Sequence, residues 1–466
     1  MRILILSQYF WPENFRVNEL AQELVERGHQ VTVLTGLPNY PGGAVYDDYR
    51  HDPAAFSRFN GVEIIRVPLV PRGTGAIRLI LNYLSFAASA SVLGIWKLRG
   101  RAFDRILVYQ LSPATIGFPA VILRRIKRAP TLFWVQDLWP DTLEAVGVVR
   151  SRFLLRFVDR WMRWFYAHTD HLLAQSRAMM PRLREQAPAR LPLSYLPNWA
   201  ETQRTKPVAL PAGPVARTNT FKIFYLGNLG EAQDFPAVLE AVELLRERDD
   251  IEWCLVGDGR QAGWIRDAIE TRGLKSRVRL LGAFPSEVMP RFHREANALL
   301  VSLKRDPLFA MTIPSKVQSY LAAGVPIVGM LDGEGARVIL EARAGFTCPA
   351  GDSRGLADAV VALVGMAPQQ RAEMGHAGKA YCRQEFEFPM LVDRIETLLR
   401  TVTPHNRKLF RKQHGVAALP MQDAASTGAQ VAPAAPWLSQ KDTPSAIDPL
   451  VAPSQPGQLE EEMPVQ

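Results

Sequence analysis

Short apolar runs alternate with amphipathic helical patterns along this chain, and the alternation occurs twice. Strand-like runs at 2–8, 30–36, 62–68, 105–110 and 131–137 are separated by helix-length segments. The first of these spans 14–27, where Val17, Leu20, Ala21, Leu24 and Val25 recur at helical spacing. Gly28 stands where a left-handed C-terminal cap is needed, and Val31-Thr32-Val33-Leu34 starts the next strand at once. Strands joined by helical crossovers pair in parallel, carry helices on both faces and gather ligands beyond their carboxyl ends. The pattern lapses near 197–220, through Pro197-Asn198-Trp199, Pro207, Pro211, Gly213 and Pro214. It restarts at Phe221–Gly227 and continues at 251–257, 278–283, 298–303 and 326–330.

The 466 residues exceed what one core usually supports. The expected fold is therefore α/β, with two Rossmann-like doubly wound domains facing a cleft. The first covers 1–200 and the second 221–385, joined by a linker at 201–220. A helix at 386–405 is expected to return to the first lobe. The basic patch Arg407, Lys408, Arg411 and Lys412 and the Pro/Ala-rich stretch make 406–466 an expected disordered tail.

With 47% hydrophobic and 22% charged residues the body reads as globular. Cys254, Cys348 and Cys382 are too few and too scattered for a disulfide framework or a thiolate zinc site, and a reducing compartment fits. Met1-Arg2-Ile3-Leu4-Ile5-Leu6 reads as a buried strand without the layout of a signal peptide. A net charge of +9 and a pI near 9.5 favour anionic lipid or phosphorylated small molecules as partners. Nucleic acid is not expected, since no zinc finger, RNP-like strand or long basic arm is present.

Two segments of the second half carry phosphate-binding chemistry. Gly257-Asp258-Gly259-Arg260-Gln261-Ala262-Gly263 is a glycine-rich turn before a helix, although Ala262 stands where a dinucleotide fingerprint needs its third glycine. It serves equally well as a packing turn. Thr312-Ile313-Pro314-Ser315-Lys316 opens a helix that ends at Gly324, before the strand Ile327-Val328. Free backbone N–H groups, the Ser315 hydroxyl and the Lys316 charge suit a diphosphate at that helix start. A capped surface helix with a solvated lysine would give the same pattern.

In order, Gly257-Asp258-Gly259, Leu281-Gly282-Ala283-Phe284, Leu300-Val301-Ser302-Leu303 and Ser315-Lys316 through Ala323-Gly324-Val325-Pro326 resemble family 4 retaining glycosyltransferases of the GT-B fold. Tyr9-Phe10-Trp11-Pro12-Glu13, Gly28-His29-Gln30-Val31 and Trp134-Val135-Gln136-Asp137-Leu138-Trp139-Pro140-Asp141 agree. They look most like the colanic-acid, capsule and O-antigen transferases, including the N-acetylfucosamine-transferring kind. The match covers nearly all of 1–405.

The resemblance implies a nucleotide-sugar donor, usually a UDP-sugar, on the second lobe, and a glycan or polyprenyl-diphosphate-linked acceptor on the first. It also implies no metal and no further cofactor. The donor residues it points to are Gly227, Asn228, Gln233, Asp258, Thr312, Ser315, Lys316 and Ser319, and the acceptor residues are Glu13, Asn14, Arg16, Gln136 and Trp139. Departures from the family pattern matter. The family's glutamate pair falls on Met311 and Ser319, its arginine and lysine fall on Asn228 and Gln233, and its sugar-contacting histidine falls on Gln136. Lys316 becomes the leading diphosphate cation, with Lys304 and Arg305 in reserve. Asp137 becomes the candidate that orients or deprotonates the acceptor hydroxyl, although helix capping would also account for it.

Two rival functions follow from the same architecture: a sugar-nucleotide 2-epimerase, and a non-catalytic assembly subunit suggested by the missing glutamates and cations. Two apolar segments bear on localisation. The uncharged run 79–96 is expected as a buried helix, because a span there would part the half-sheets. The helix at 152–166 sets Phe153, Phe157, Trp161, Trp164 and Phe165 beside Arg152, Arg156, Arg160 and Arg163. That suits an anionic membrane surface, or ordinary packing with solvated arginines. A cytoplasmic protein at the inner face of the membrane is the resulting expectation.

Overall fold

Isoleucine and leucine fill both sides of the first strand, Arg2–Leu6, and residues 3–6 have no exposed surface, as a central parallel strand requires. The computed structural model describes residues 1–73, 75–145, 151–201 and 220–404. The tail at 406–466 and all but the ends of the linker at 201–220 lie outside the described residues.

The first sheet has eight strands: β1 (Arg2–Leu6), β2 (Gln30–Gly36), β3 (Arg58–Phe59), β4 (Val62–Val67), β5 (Arg105–Gln110), β6 (Thr131–Val135), β7 (His171–Ala174) and β8 (Leu193–Tyr195). Their order is β3-β4-β2-β1-β5-β6-β7-β8, parallel throughout except for the two-residue β3. The second sheet comprises β9 (Phe221–Leu226), β10 (Ile251–Val256), β11 (Val278–Gly282), β12 (Ala298–Ser302), β13 (Ile327–Met330) and β14 (Gly345–Cys348), in the parallel order β11-β10-β9-β12-β13-β14. In each sheet the chain winds outward one way and then the other. The order reverses between β1 and β5 and between β9 and β12, and ligands of such sheets bind at these switch points.

Six helices position the site or its surroundings: α1 (Arg16–Glu26), α2 (Ala76–Ser89), α3 (Gly117–Lys127), α4 (Arg152–Ala167), α5 (Ser315–Ala323) and α6 (Phe388–Thr401). Val17, Leu20, Ala21 and Leu24 bury α1 on one face of the first sheet, and Gly28 leaves it with φ +82°. Leu391, Val392, Ile395 and Leu399 of α6 join that same apolar cluster. Glu396 also accepts from Arg27 at 3.2 Å and meets His29 at 3.0 Å. The last helix is thus part of the first lobe's wall. The opposite face is covered by α2, α3 and α4 through Tyr83, Phe86, Ala120, Leu123, Met162 and Phe165.

The segment 79–96 departs from its expected burial. Asn82, Tyr83, Phe86, Ala87, Ala90 and Gly94 face inward, whereas Ile77, Ile80, Leu81, Leu84, Val92 and Trp96 lie in the open. It is a covering helix with one buried side. Its uncharged run reads as buried in the sequence because the outer side is as apolar as the inner one.

Arg124 of α3 and Asp170 before β7 are both buried and meet at 2.6 and 2.8 Å, while the Thr131 N–H donates to Asp170 at 2.8 Å. This pair ties the helix layer to the sheet edge that leads to β6. Removing one partner of a buried pair leaves an uncompensated charge. Asp170→Ala is therefore expected to lower the stability of the protein by about 3–5 kcal/mol, read as a shift in the urea midpoint at unchanged m-value.

Candidate active site

On the second lobe the switch point is built around α5. The Tyr320 hydroxyl accepts from the Leu226 N–H at 3.0 Å, which fixes the register of α5 against the end of β9. One turn earlier on the same helix, Lys316 then lies over the Tyr225 ring, its Nζ 4.8 Å from the centroid. Gly227 has φ +125°, and a Cβ there would stand 3.0–3.1 Å from the end of the Lys316 side chain. Glycine leaves the lysine that space. Among the described residues no carboxylate lies within ion-pair distance of Lys316, and burial pulls its amine down to about 8. A desolvated cation without a counter-charge, beside a helix start whose N-cap Pro314 offers no side-chain cap, is electrostatically suited to an anion.

The other donor-side residues separate into two groups. Ser315, Asn228 and Asp258 are exposed near the strand ends, and Ser319 is half-buried on α5. Thr312 donates to the Phe309 carbonyl at 3.1 Å, and Asp258 accepts from the Gly259 N–H at 2.7 Å. Gln233 is engaged in structure: its Oε1 accepts from Gly230 N–H at 3.0 Å and closes the turn after β9. The glycine-rich turn serves packing, since a Cβ on Gly257 would stand 1.8 Å from the Gly227 carbonyl oxygen. Arg305 is drawn towards Asp332 at 3.5 Å and the Ala350 carbonyl at 3.0 Å, and Lys304 is exposed.

On the first lobe Asp137 follows β6 and leans across to β5, where Ser112 donates to it from N–H at 2.9 Å and Oγ at 2.7 Å. It does not cap the next helix. Burial raises its carboxyl above the usual range, with the Ser112 bonds opposing. Trp139 donates to the same Ser112 hydroxyl at 3.2 Å and lies edge-on to Tyr83 at 6.4 Å. Gln136 is buried and accepts from Asn198 at 2.8 Å, while its own amide nitrogen has no partner among the described residues.

The first loop is more structural than its sequence suggests. Glu13 is buried and accepts from the N–H groups of Phe10, Asn39 and Tyr40 at 3.2, 2.8 and 2.8 Å. Burial pushes it up to about 7 against those three bonds. Arg16 donates to the Trp199 carbonyl and reaches Glu201 at 4.0 Å, so it braces the linker. Only Asn14 of the three is exposed.

Sequence reasoning missed Arg72. Its guanidinium sits 5.3 Å from the Tyr40 centroid, and its backbone N–H donates to the Asn39 side-chain oxygen at 3.0 Å. Its charge also acts on both Tyr9 and Tyr83. An isolated arginine in a Pro-Arg-Gly loop gives no periodic signal. The lobes meet around the cleft where Gln318 donates to the Asn198 carbonyl at 2.6 Å and Arg177 N–H to Glu334 at 2.9 Å.

On α4, Arg152, Arg156 and Arg160 are exposed beside Phe153, Leu154, Phe157 and Trp164. Arg163 is paired with Asp159 at 2.7 Å, and Trp161 packs on Phe118 at 5.1 Å. The inward side is Leu155, Val158, Met162, Phe165 and Tyr166. The apolar residues of α4 therefore divide between core and surface, and the surface share is aromatic and cationic.

A lysine whose folded-state pKa is lowered penalises the folded state while it is protonated. That penalty is present below about pH 8 and is relieved as pH rises from there towards the ordinary lysine value. Lys316→Met is expected to stabilise the protein at pH 7 by on the order of 1–2 kcal/mol. The gain should shrink by pH 10, a dependence read from thermal melts at the two pH values.

With this geometry in view, the relatives are informative. Residues 14–199 match the family described as a glycosyl transferase 4-like domain, and residues 220–365 match the glycosyl transferases group 1. The chain is 27% identical over 340 residues to the putative colanic acid biosynthesis glycosyl transferase WcaI of Escherichia coli K12, covering 70% of this chain and 82% of that one. It is 24% identical over 344 residues to a GDP-mannose-dependent alpha-mannosyltransferase of Mycolicibacterium smegmatis, covering 70% and 79%. Among solved structures, Anabaena HepE in complex with UDP and glucose superposes with a TM-score of 0.61 at 16% identity, covering 86% of this chain and 100% of HepE. WaaG, a glycosyltransferase involved in lipopolysaccharide biosynthesis, gives 0.56 at 15%, covering 86% and 99%. Two parallel-sheet lobes, two adjoining family matches and these superpositions agree: the chain belongs to the family 4 glycosyltransferases of the GT-B fold.

Proposed function

We propose that this glycosyltransferase moves a sugar from a nucleoside-diphosphate donor, a UDP-sugar in the first instance, to a lipid-linked glycan acceptor at the inner face of the membrane. Configuration at the anomeric carbon is retained, and no metal takes part. Lys316 carries the reading. A half-buried amine with no carboxylate within ion-pair distance among the described residues, at the β9/β12 switch point, attracts the leaving diphosphate more strongly than a fully solvated one would. The acceptor oxygen bonds to the anomeric carbon as the bond from that carbon to the diphosphate breaks, and the nucleoside diphosphate leaves with the electron pair. Asp137, with its carboxyl raised and held by Ser112, orients the acceptor hydroxyl and receives its proton. The colanic acid role in WcaI's description supports a polysaccharide precursor as acceptor, and the N-acetylfucosamine-type sugar implied by the sequence resemblance is the first donor to try.

The test is nucleotide release from a panel of UDP- and GDP-sugars, with and without lipid-linked oligosaccharide. GDP donors enter because of the mannosyltransferase relatives. Release from at least one donor is expected, with kcat lowered about 10²–10³-fold in Lys316→Ala, the usual size of a lost charge-stabilising donor. UDP affinity should also fall roughly tenfold per pH unit above pH 8 as the amine deprotonates. A panel that neither binds nor releases nucleotide would overturn the reading. Unchanged kcat/KM in Lys316→Ala would remove the lysine from it.

A further inference from the structure

We propose that the outward side of the segment from Ala76 to Lys97 seats the first lobe in an anionic lipid bilayer, lying in the plane of the surface rather than crossing it. The inference goes beyond glycosyl transfer and does not rest on it. The segment is long and apolar enough to span a bilayer, yet only 28% of its most apolar 18-residue window is buried. A crossing is excluded by what its inner side does. Asn82 accepts from Gln8 at 2.7 Å and donates to the Val70 carbonyl at 2.7 Å, and a Cβ on Gly94 would stand 2.9 Å from Leu34 of β2.

The outer side is left to solvent. Ile77 is 77% exposed, Val92 67% and Trp96 60%, with Ile80, Leu81 and Leu84 between them along one helical stripe. No charge interrupts the stripe from Arg78 to Lys97. Isolated exposed apolar residues are ordinary, but a continuous stripe of this length marks an interaction surface.

Charge selects the occupant. Between Ile64 and Gln136 six lysines and arginines are exposed, Arg78, Lys97, Arg99, Arg101, Arg125 and Arg128, of which Arg101 is paired with Glu63, and the one acid, Asp104, is paired with Arg2 at 2.8 Å. Arg78, Lys97 and Arg99 are exposed at the ends of the stripe, and Arg99 stacks on Trp96 at 4.1 Å. The neighbouring α3, which packs against both α2 and α4, exposes Arg125, with Arg128 exposed at its C-cap, and α4 exposes Arg152, Arg156 and Arg160. An apolar stripe framed by cations fits a surface whose headgroups are anionic and whose interior is hydrocarbon. The stripe starts beside the Arg72 loop, where Gly73 N–H donates to the Gly43 carbonyl at 2.8 Å.

The test is co-sedimentation of the full chain with phosphatidylglycerol-containing vesicles and with pure phosphatidylcholine vesicles. The parent should partition into the former. Ile77→Glu/Val92→Glu should lower the partition coefficient at least ~10-fold, since each new carboxylate loses apolar contact and opposes the surface potential by about 1 kcal/mol. Its thermal midpoint should not move, because both sites are exposed. A Phe153→Glu/Phe157→Glu variant separates this seat from α4. Release by that variant alone, undiminished sedimentation of the 77/92 variant, a parent that ignores anionic vesicles, or a parent dimer that the 77/92 variant dissociates without vesicle binding would each overturn the proposal.

Discussion

Parallel strands cannot be joined by tight turns, so every connection between successive parallel strands of a sheet returns over a face of that sheet, and within each sheet the strand-to-helix loops emerge at the same edge. That constraint places Gln8, Ser112 and Asp137 on one rim and Gly227, Lys304 and Lys316 on the other. Neither rim depends on a long-range coincidence of loops. Where the winding reverses, between β1 and β5 and between β9 and β12, neighbouring loops part and leave room for a ligand. The same packing demands explain details that look functional in isolation: Gly257 must lack a side chain because the Gly227 carbonyl occupies that space.

Much of this architecture is legible in the sequence, and the limits have physical causes. Central strands buried on both faces, such as Ile3–Leu6 and Val31–Leu34, declare themselves as unbroken apolar runs. Of the short strands, β13 announces itself by Ile327-Val328 after the glycine cap, whereas β7 (His-Leu-Leu-Ala), β8 (Leu-Ser-Tyr) and β14 (Gly-Phe-Thr-Cys) mix small, polar and apolar residues and do not stand out from their surroundings. For the helices, apolar residues mark a buried side only when the other side is polar. The segment 79–96 carries no charge on either side, and its polar residues include the buried Asn82, so polarity does not mark the outer half and only packing shows which half faces Leu34 and Gln8.

The site was legible where function needs an unusual environment at a regular element, and illegible where loops borrow one another's backbone. Lys316 follows from its place in the first turn of α5, although its loss of solvent follows from Tyr225 and Gly227, which are distant in sequence. Glu13 is the opposite case. An acid in the first strand-to-helix loop suggests an acceptor contact, but its two oxygens receive three backbone N–H groups from two loops. Nothing in Trp-Pro-Glu-Asn foretells that Asn39 and Tyr40 will present their amides there. Gln233 is likewise claimed by the Gly230 N–H only once the turn has closed.

Where the family resemblance implies cations after the first strand of the second lobe this chain has Asn228 and Gln233, so the half-buried Lys316 is the cation left to consider at that switch point. Two unit charges 4 Å apart attract by about 1 kcal/mol in water and about 4 kcal/mol at an effective dielectric of 20. Burial therefore strengthens a single cation more than a second exposed one would. The same burial would be self-defeating if a carboxylate lay close enough to neutralise the amine. The candidate acid, Asp137, is fixed to Ser112 on the opposite lobe, and no acid among the described residues is paired with Lys316. Placing the lysine and the carboxylate on separate sheets keeps them from neutralising each other, while Gln318 to the Asn198 carbonyl and the Arg177 N–H to Glu334 hold the two lobes together beside them.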